Sequence, residues 1–123
     1  MRKNLTITAI LGFLTIVLGA FGAHALKDKI DPNSLKSFET GVRFLMYHVI
    51  VLLFVNTYSR FSIKTKNLIS YLFFIGILFF SGSIFAISTG GVSAKNIWFI
   101  TPLGGLFLMS GWIALAIIFF KKE

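Results

Sequence analysis

The sequence predicts an all-α integral membrane protein, a compact bundle of four spanning helices whose second helix is extended by an interfacial N-terminal segment. Three observations lead there. Of 123 residues, 56% are hydrophobic and only 13% charged, about half the ~25% of a soluble domain. A chain of this length has too little interior to hide so many apolar side chains from water. The 12 Lys+Arg and 4 Asp+Glu also sit in short blocks that divide the chain into four uncharged stretches.

Those stretches are 5–26, 44–59, 67–94 and 96–120. A helix needs about 20 apolar residues to cross ~30 Å of hydrocarbon, and the first, third and fourth suffice. The first opens on Arg2 and Lys3 and ends in Ala23-His24-Ala25, which has the form of a signal-peptide cleavage site. Its apolar run is longer than the usual 7–15 residues, so it is expected to stay as a span. The second stretch has 16 residues and reaches only about 24 Å. Arg43 and Arg60 must then snorkel at the boundaries, or Arg43 must be paired within the membrane.

Asp31-Pro32 reads as the start of the second helix, with Asp as N-cap and Pro in the first turn. Leu35, Phe38, Val42, Leu45 and Val49 follow on one helical face, carrying the helix to about Tyr58. Ser88-Thr89-Gly90-Gly91 is a turn cluster that ends the third helix. Thr101-Pro102 starts the fourth with Thr as cap, preceded by an interfacial entry segment at 97–100 containing Trp98. The spans fall near 5–26, 41–59, 67–88 and 102–120, within a single domain.

Four spans place both termini on one side, with Arg2, Lys3, Arg60, Lys64, Lys66, Lys121 and Lys122. Lys27, Lys29, Lys36, Arg43 and Lys95 lie opposite. The positive-inside rule puts the termini in the cytoplasm, although a margin of two leaves single and dual insertion as alternatives. The net charge of +8, spread in short blocks, points to anionic lipid headgroups and not to nucleic acid.

Lipid tails are as apolar as leucine, so spans associate through close packing of small residues. Thr8, Gly12, Thr15, Gly19 and Gly22 form such a seam on the first helix. Gly76, Gly82, Ser83, Ala86 and Gly90 serve the third, and Gly104, Ser110, Gly111 and Ala114 the fourth.

Ionisable and polar residues at membrane depth are the natural candidates for a site: His24, Glu39, Arg43, Tyr47, His48, Asn56 and Thr101. Glu39 and Arg43 stand at i,i+4, which suits an ion pair. His24 and His48, measured inward from the ends of their uncharged stretches, are expected to face each other near the non-cytoplasmic boundary. Two imidazoles on adjacent helices offer a haem or metal site, but two ligands fall short of a complete set, and hydrogen-bonded structural histidines are the simpler reading. No cofactor is expected on balance. Asn56 and Thr101 read as interhelical hydrogen bonders or caps. No hydrolase, zinc-peptidase or phosphate-loop motif is present, and the first, third and fourth spans hold no carboxylate, so no enzyme activity is expected.

Four co-linear blocks resemble one family. Leu18-Gly19-Ala20-Phe21-Gly22-Ala23-His24 ends the first span. Phe38-x-Thr40-Gly41 with Tyr47-His48 lies in the second, Leu78-Phe79-Phe80-Ser81-Gly82-Ser83 in the third, and Thr101-Pro102-Leu103-Gly104-Gly105 with Gly111-Trp112 in the fourth. Together they are similar to the YgdD/YwdK-like family of small bacterial membrane proteins, a domain of unknown function. The resemblance implies a four-helix inner-membrane protein and no accepted reaction. Arg43-Phe44 departs from the pattern, which sets Arg43 behind the two histidines for any shared role. The expected function is structural or accessory, through association with itself, lipid or a larger membrane complex. A haem- or metal-binding protein and a homo-oligomeric ion or solute pore are the alternatives.

Overall fold

The computed structural model describes residues 2–121. Four long helices are each apolar enough to cross a bilayer. Helix α1 (Arg2–Phe21) runs into a π-helical turn (Gly22–Leu26), followed by α2 (Pro32–Thr57), α3 (Ile63–Ser88), the short α4 (Ala94–Ile97) and α5 (Ile100–Lys121). No strand occurs among the described residues.

Local chemistry sets the helix ends. Asp31 accepts from the Ser34 amide (2.9 Å) and hydroxyl (2.9 Å), with Pro32 in the first turn, so α2 begins where the sequence places it. Ser62 caps α3 by accepting from the Thr65 amide at 3.1 Å. The cap lets α3 start at Ile63 and take in Lys64 and Lys66, one turn before the uncharged stretch. Gly90, at φ 81°, ends the chain's course beyond α3 in a left-handed turn that glycine adopts without steric penalty. The interfacial segment before the last span forms α4, capped by Ser93. Helix α5 begins at Ile100, so Thr101 stands inside it and not at its cap.

The central pair is α2 and α3, with α1 packed on α2 and α5 on α3. Leu45, Val49, Leu52 and Val55 of α2 meet Ile69, Phe73 and Ile77 of α3, joined by Leu108 and Leu115 of α5. Outside this core, Phe13, Ile16, Leu78, Met109, Ile113 and Phe120 are exposed, as a surface solvated by lipid allows.

The closest helix approach is between α3 and α5. A Cβ at Gly104 would fall on the Phe80 backbone nitrogen, one at Gly111 on the Phe73 ring, and one at Gly76 would lie 2.6 Å from the Leu108 side chain. Gly22 and Gly41 are likewise needed, against Phe38 (2.9 Å) and Phe85 (2.7 Å). The small-residue seam expected along α1 is looser. Cβ atoms at Gly12 and Gly19 would meet only Val49 (3.4 Å) and Val42 (3.7 Å), ordinary van der Waals distances, and Gly82 faces open space.

Candidate functional site

The polar side chains that join one helix to another gather in three places. The first is an amide network near the termini. Asn4 Nδ2 of α1 donates to Asn56 Oδ1 of α2 (3.1 Å) and to Asn67 Oδ1 of α3 (2.9 Å). Asn56 Nδ2 donates in turn to Ser70 Oγ (2.8 Å) and to the Leu52 carbonyl (2.9 Å). Asn4, Asn56 and Ser70 are all buried. An amide in hydrocarbon without partners costs several kcal/mol, so this network fixes the register of three helices at once. Asn56 was legible as an interhelical bonder. Asn4, Asn67 and Ser70 were missed, because Asn4 and Asn67 stand at the charged margins of their spans.

The second place is the middle of the bundle. His48 is buried beside Phe73 and Trp112, its ring centroid 5.1 Å and 5.9 Å from theirs. Trp112 Nε1 donates to His48 Nε2 at 3.1 Å, and His48 Nδ1 lies 2.6 Å from the Phe44 carbonyl oxygen. An indole N–H can only donate and a carbonyl can only accept. His48 is therefore the neutral Nδ1–H tautomer, with both ring nitrogens engaged. Trp112 belongs to the Gly111-Trp112 block of the sequence, but nothing in its spacing points to His48.

The third place is the Ser81-Gly82-Ser83 segment of α3. Ser81 Oγ donates to the Gly41 carbonyl of α2 at 2.9 Å, and Ser83 Oγ pairs with the Thr101 hydroxyl of α5. One short segment thus holds α3 to both neighbours, and Thr101 proves to be an interhelical bonder.

The structure separates the two histidines. Gly12 lies level with Val49 and Gly22 level with Phe38 on the adjoining face of α2. His48 is therefore level with Gly12, while His24 lies beyond Gly22, about 18 Å of helix away. His24 is exposed on the π-helical turn. The expectation of a shared site measured depth from the ends of the uncharged stretches, the second of which opens at Phe44. In fact α2 runs unbroken from Pro32 through Arg43, so His48 sits about 24 Å in from its start. Glu39 and Arg43 do not pair either: Arg43 Nη2 donates to Thr40 Oγ1 at 3.3 Å. Tyr47 is half exposed, its ring centroid 5.7 Å from that of Phe44. Among the described residues, no three His, Asp or Glu side chains converge as a metal-binding set.

Residues 18–105 match the family described as "Protein of unknown function (DUF423)". The chain is 38% identical to a UPF0382 membrane protein of Haemophilus influenzae, over 99% of this chain and 97% of that one. It is 35% identical to the UPF0382 membrane protein SAB0533 of Staphylococcus aureus, over 98% of each chain. The UPF0382 membrane protein YwdK of Bacillus subtilis is also 35% identical, over 95% of each. No solved structure matches the chain.

Proposed function

The chain belongs to the DUF423 family of membrane proteins, and on that premise we propose that it is a non-catalytic structural or accessory protein of the bacterial inner membrane. It works through its outer surface, by association with itself, with lipid or with a larger membrane complex. One observation carries this reading. Among the described residues, no buried side-chain nitrogen or oxygen lacks a hydrogen-bond partner.

Interior polar groups that serve a substrate are left aimed at a cavity or at each other's reacting atoms. Here Asn4, Asn56, His48, Ser81 and Ser83 tie neighbouring helices together, while the Thr8, Thr15 and Ser88 hydroxyls bond back to their own helices, and the remaining chemistry lies on the flanks. Engagement of both His48 nitrogens counts against the haem or metal reading. The excess of Lys and Arg on the terminal side supports cytoplasmic termini, where those charges meet anionic headgroups.

Extraction of the chain from native membranes into polymer nanodiscs tests the proposal. The expected particle carries a second copy, a stoichiometric protein partner or a lipid enriched over the bulk membrane. A lone chain in lipid of bulk composition overturns it.

A further inference from the structure

Between α1 and α3 lies an open groove of about 420 Å³, and the geometry points to it as a binding site for one acyl chain of an anionic phospholipid from the leaflet on the side of the termini. This rests on the reading of the chain as an associating membrane protein and names the class of lipid. Its walls are Leu11, Leu14 and Leu18 of α1 against Phe74, Leu78 and Gly82 of α3.

The groove exists because α1 is pinned at both ends. The Asn4–Asn67 bond ties it to α3 near the termini, and Gly22 packs on Phe38 at the far end. Between these fastenings α1 follows α2 and stands off α3. A gap open to hydrocarbon is filled by whatever apolar chain fits it.

Its dimensions select the occupant. The α1 wall runs from Ile7 to Leu18 and the α3 wall from Phe74 to Phe85, each a rise of about 16 Å, comparable with the ~15 Å that one acyl chain spans in a leaflet. Spread over that length, its volume gives a cross-section of roughly 26 Å², well below the ~80 Å² of a helix some 10 Å across. A single alkyl chain fills it along its length, whereas a helix from a second copy could insert only side chains.

The charge at its mouth selects the headgroup. Continuing the α1 wall one turn toward the terminus, from Leu11 and Ile7, leads to Lys3. Continuing the α3 wall from Phe74 leads to Tyr71 and then Lys64. All three are exposed, and the two lysines lie just beyond the Asn4–Asn67 tie on the terminal side of the groove. Near a membrane surface each lysine favours an anionic lipid about fivefold.

Gly82 provides the test, because it lines the groove and a Cβ added there meets nothing within 4 Å. Native mass spectrometry of the purified chain with palmitoyl-oleoyl phosphatidylglycerol, or with the phosphatidylcholine of the same tails, reads occupancy. The wild type should retain one phosphatidylglycerol, at least tenfold over phosphatidylcholine. Gly82→Leu should lower retention of both by tenfold or more at unchanged thermal stability. Leu14→Phe, on the opposite wall, should do the same and covers the case in which Gly82→Leu does not fold. Lys3→Gln with Lys64→Gln should bring the two lipids within about twofold of each other.

Unchanged retention in a folded groove-filling variant overturns the site. Loss of a dimer with lipid retention unchanged also overturns it, assigning the groove to a second copy. Either result leaves the accessory reading standing, since that reading is judged on native-membrane particles of the wild type.

Discussion

Trp112 and His48 meet across the α2–α5 boundary, the indole N–H donating to imidazole Nε2 at 3.1 Å while Nδ1 faces the Phe44 carbonyl. The bond fixes the tautomer of a buried imidazole and adds a polar tie between α5 and α2, which otherwise meet through apolar contacts such as Phe54 with Phe119. Trp112→Phe keeps most of the ring volume and removes the donor. Unfolding in mixed micelles should show a loss of about 0.6 kcal/mol, the average for interhelical hydrogen bonds in a membrane protein, and no more than ~1.7 kcal/mol. His48→Ala should cost more, because it also opens a cavity beside Phe73.

Asn56→Ala removes the centre of the amide network and leaves Asn4 and Ser70 each short of a partner. A loss of about 1–3 kcal/mol is expected. The double-mutant cycle of Asn4→Ala with Asn56→Ala should give a coupling of at least ~0.5 kcal/mol. Strictly additive effects would show that the two amides do not act together.

Glycine replacements should sort by what faces them and not by their spacing. Gly104→Ala forces α5 away from the Phe80 backbone and should cost about 1–3 kcal/mol or more, as overpacking does. Gly19→Ala and Gly82→Ala meet nothing tight and should be neutral or stabilising, since alanine favours a helix over glycine by up to ~1 kcal/mol. Thermal unfolding of the three variants in one detergent checks the order.

Asp31 caps α2, and the Ser34 amide bonded to its carboxylate holds its pKa below the ordinary value. A folded-state pKa that is lowered stabilises the cap fully above the unfolded value of about 3.9, and that contribution is lost as pH falls through the folded value. The protection of the Ser34 amide, its exchange rate taken relative to the intrinsic rate at each pH, should therefore fall at acid pH below the usual carboxylate range. Asp31→Asn, which caps without ionising, should flatten that dependence.

The sequence made the spans legible because charge is so costly in hydrocarbon that its placement marks their limits. It also revealed the start of α2, since Asp31-Pro32 is a purely local signal. Reading depth from charge failed at Arg43, where a long side chain on an unbroken helix does not end the span, and the histidine pairing failed with it. The α1 seam shows a second limit. Spacing identifies which residues are small, but Gly12 and Gly19 face valines while Gly104 faces backbone, and only the partner helix decides how close an approach becomes. Asn4 escaped notice for a related reason: beside Arg2 and Lys3 it resembles one more solvated polar residue, until Asn56 and Asn67 are brought to it.

The central claim is that the polar interior is closed and fastens helices. The chain has no native cysteine, so single thiols report without background. Ser70→Cys and Ser81→Cys are close in size to the originals and fully buried, while Lys29→Cys lies in the exposed α1–α2 connection. In intact membranes, a membrane-impermeant maleimide should label Lys29→Cys from the non-cytoplasmic side only. It should leave Ser70→Cys and Ser81→Cys unmodified from either side until the protein is unfolded in SDS. Labelling of either buried thiol in the folded protein would reveal a water-filled path into the bundle and contradict the account.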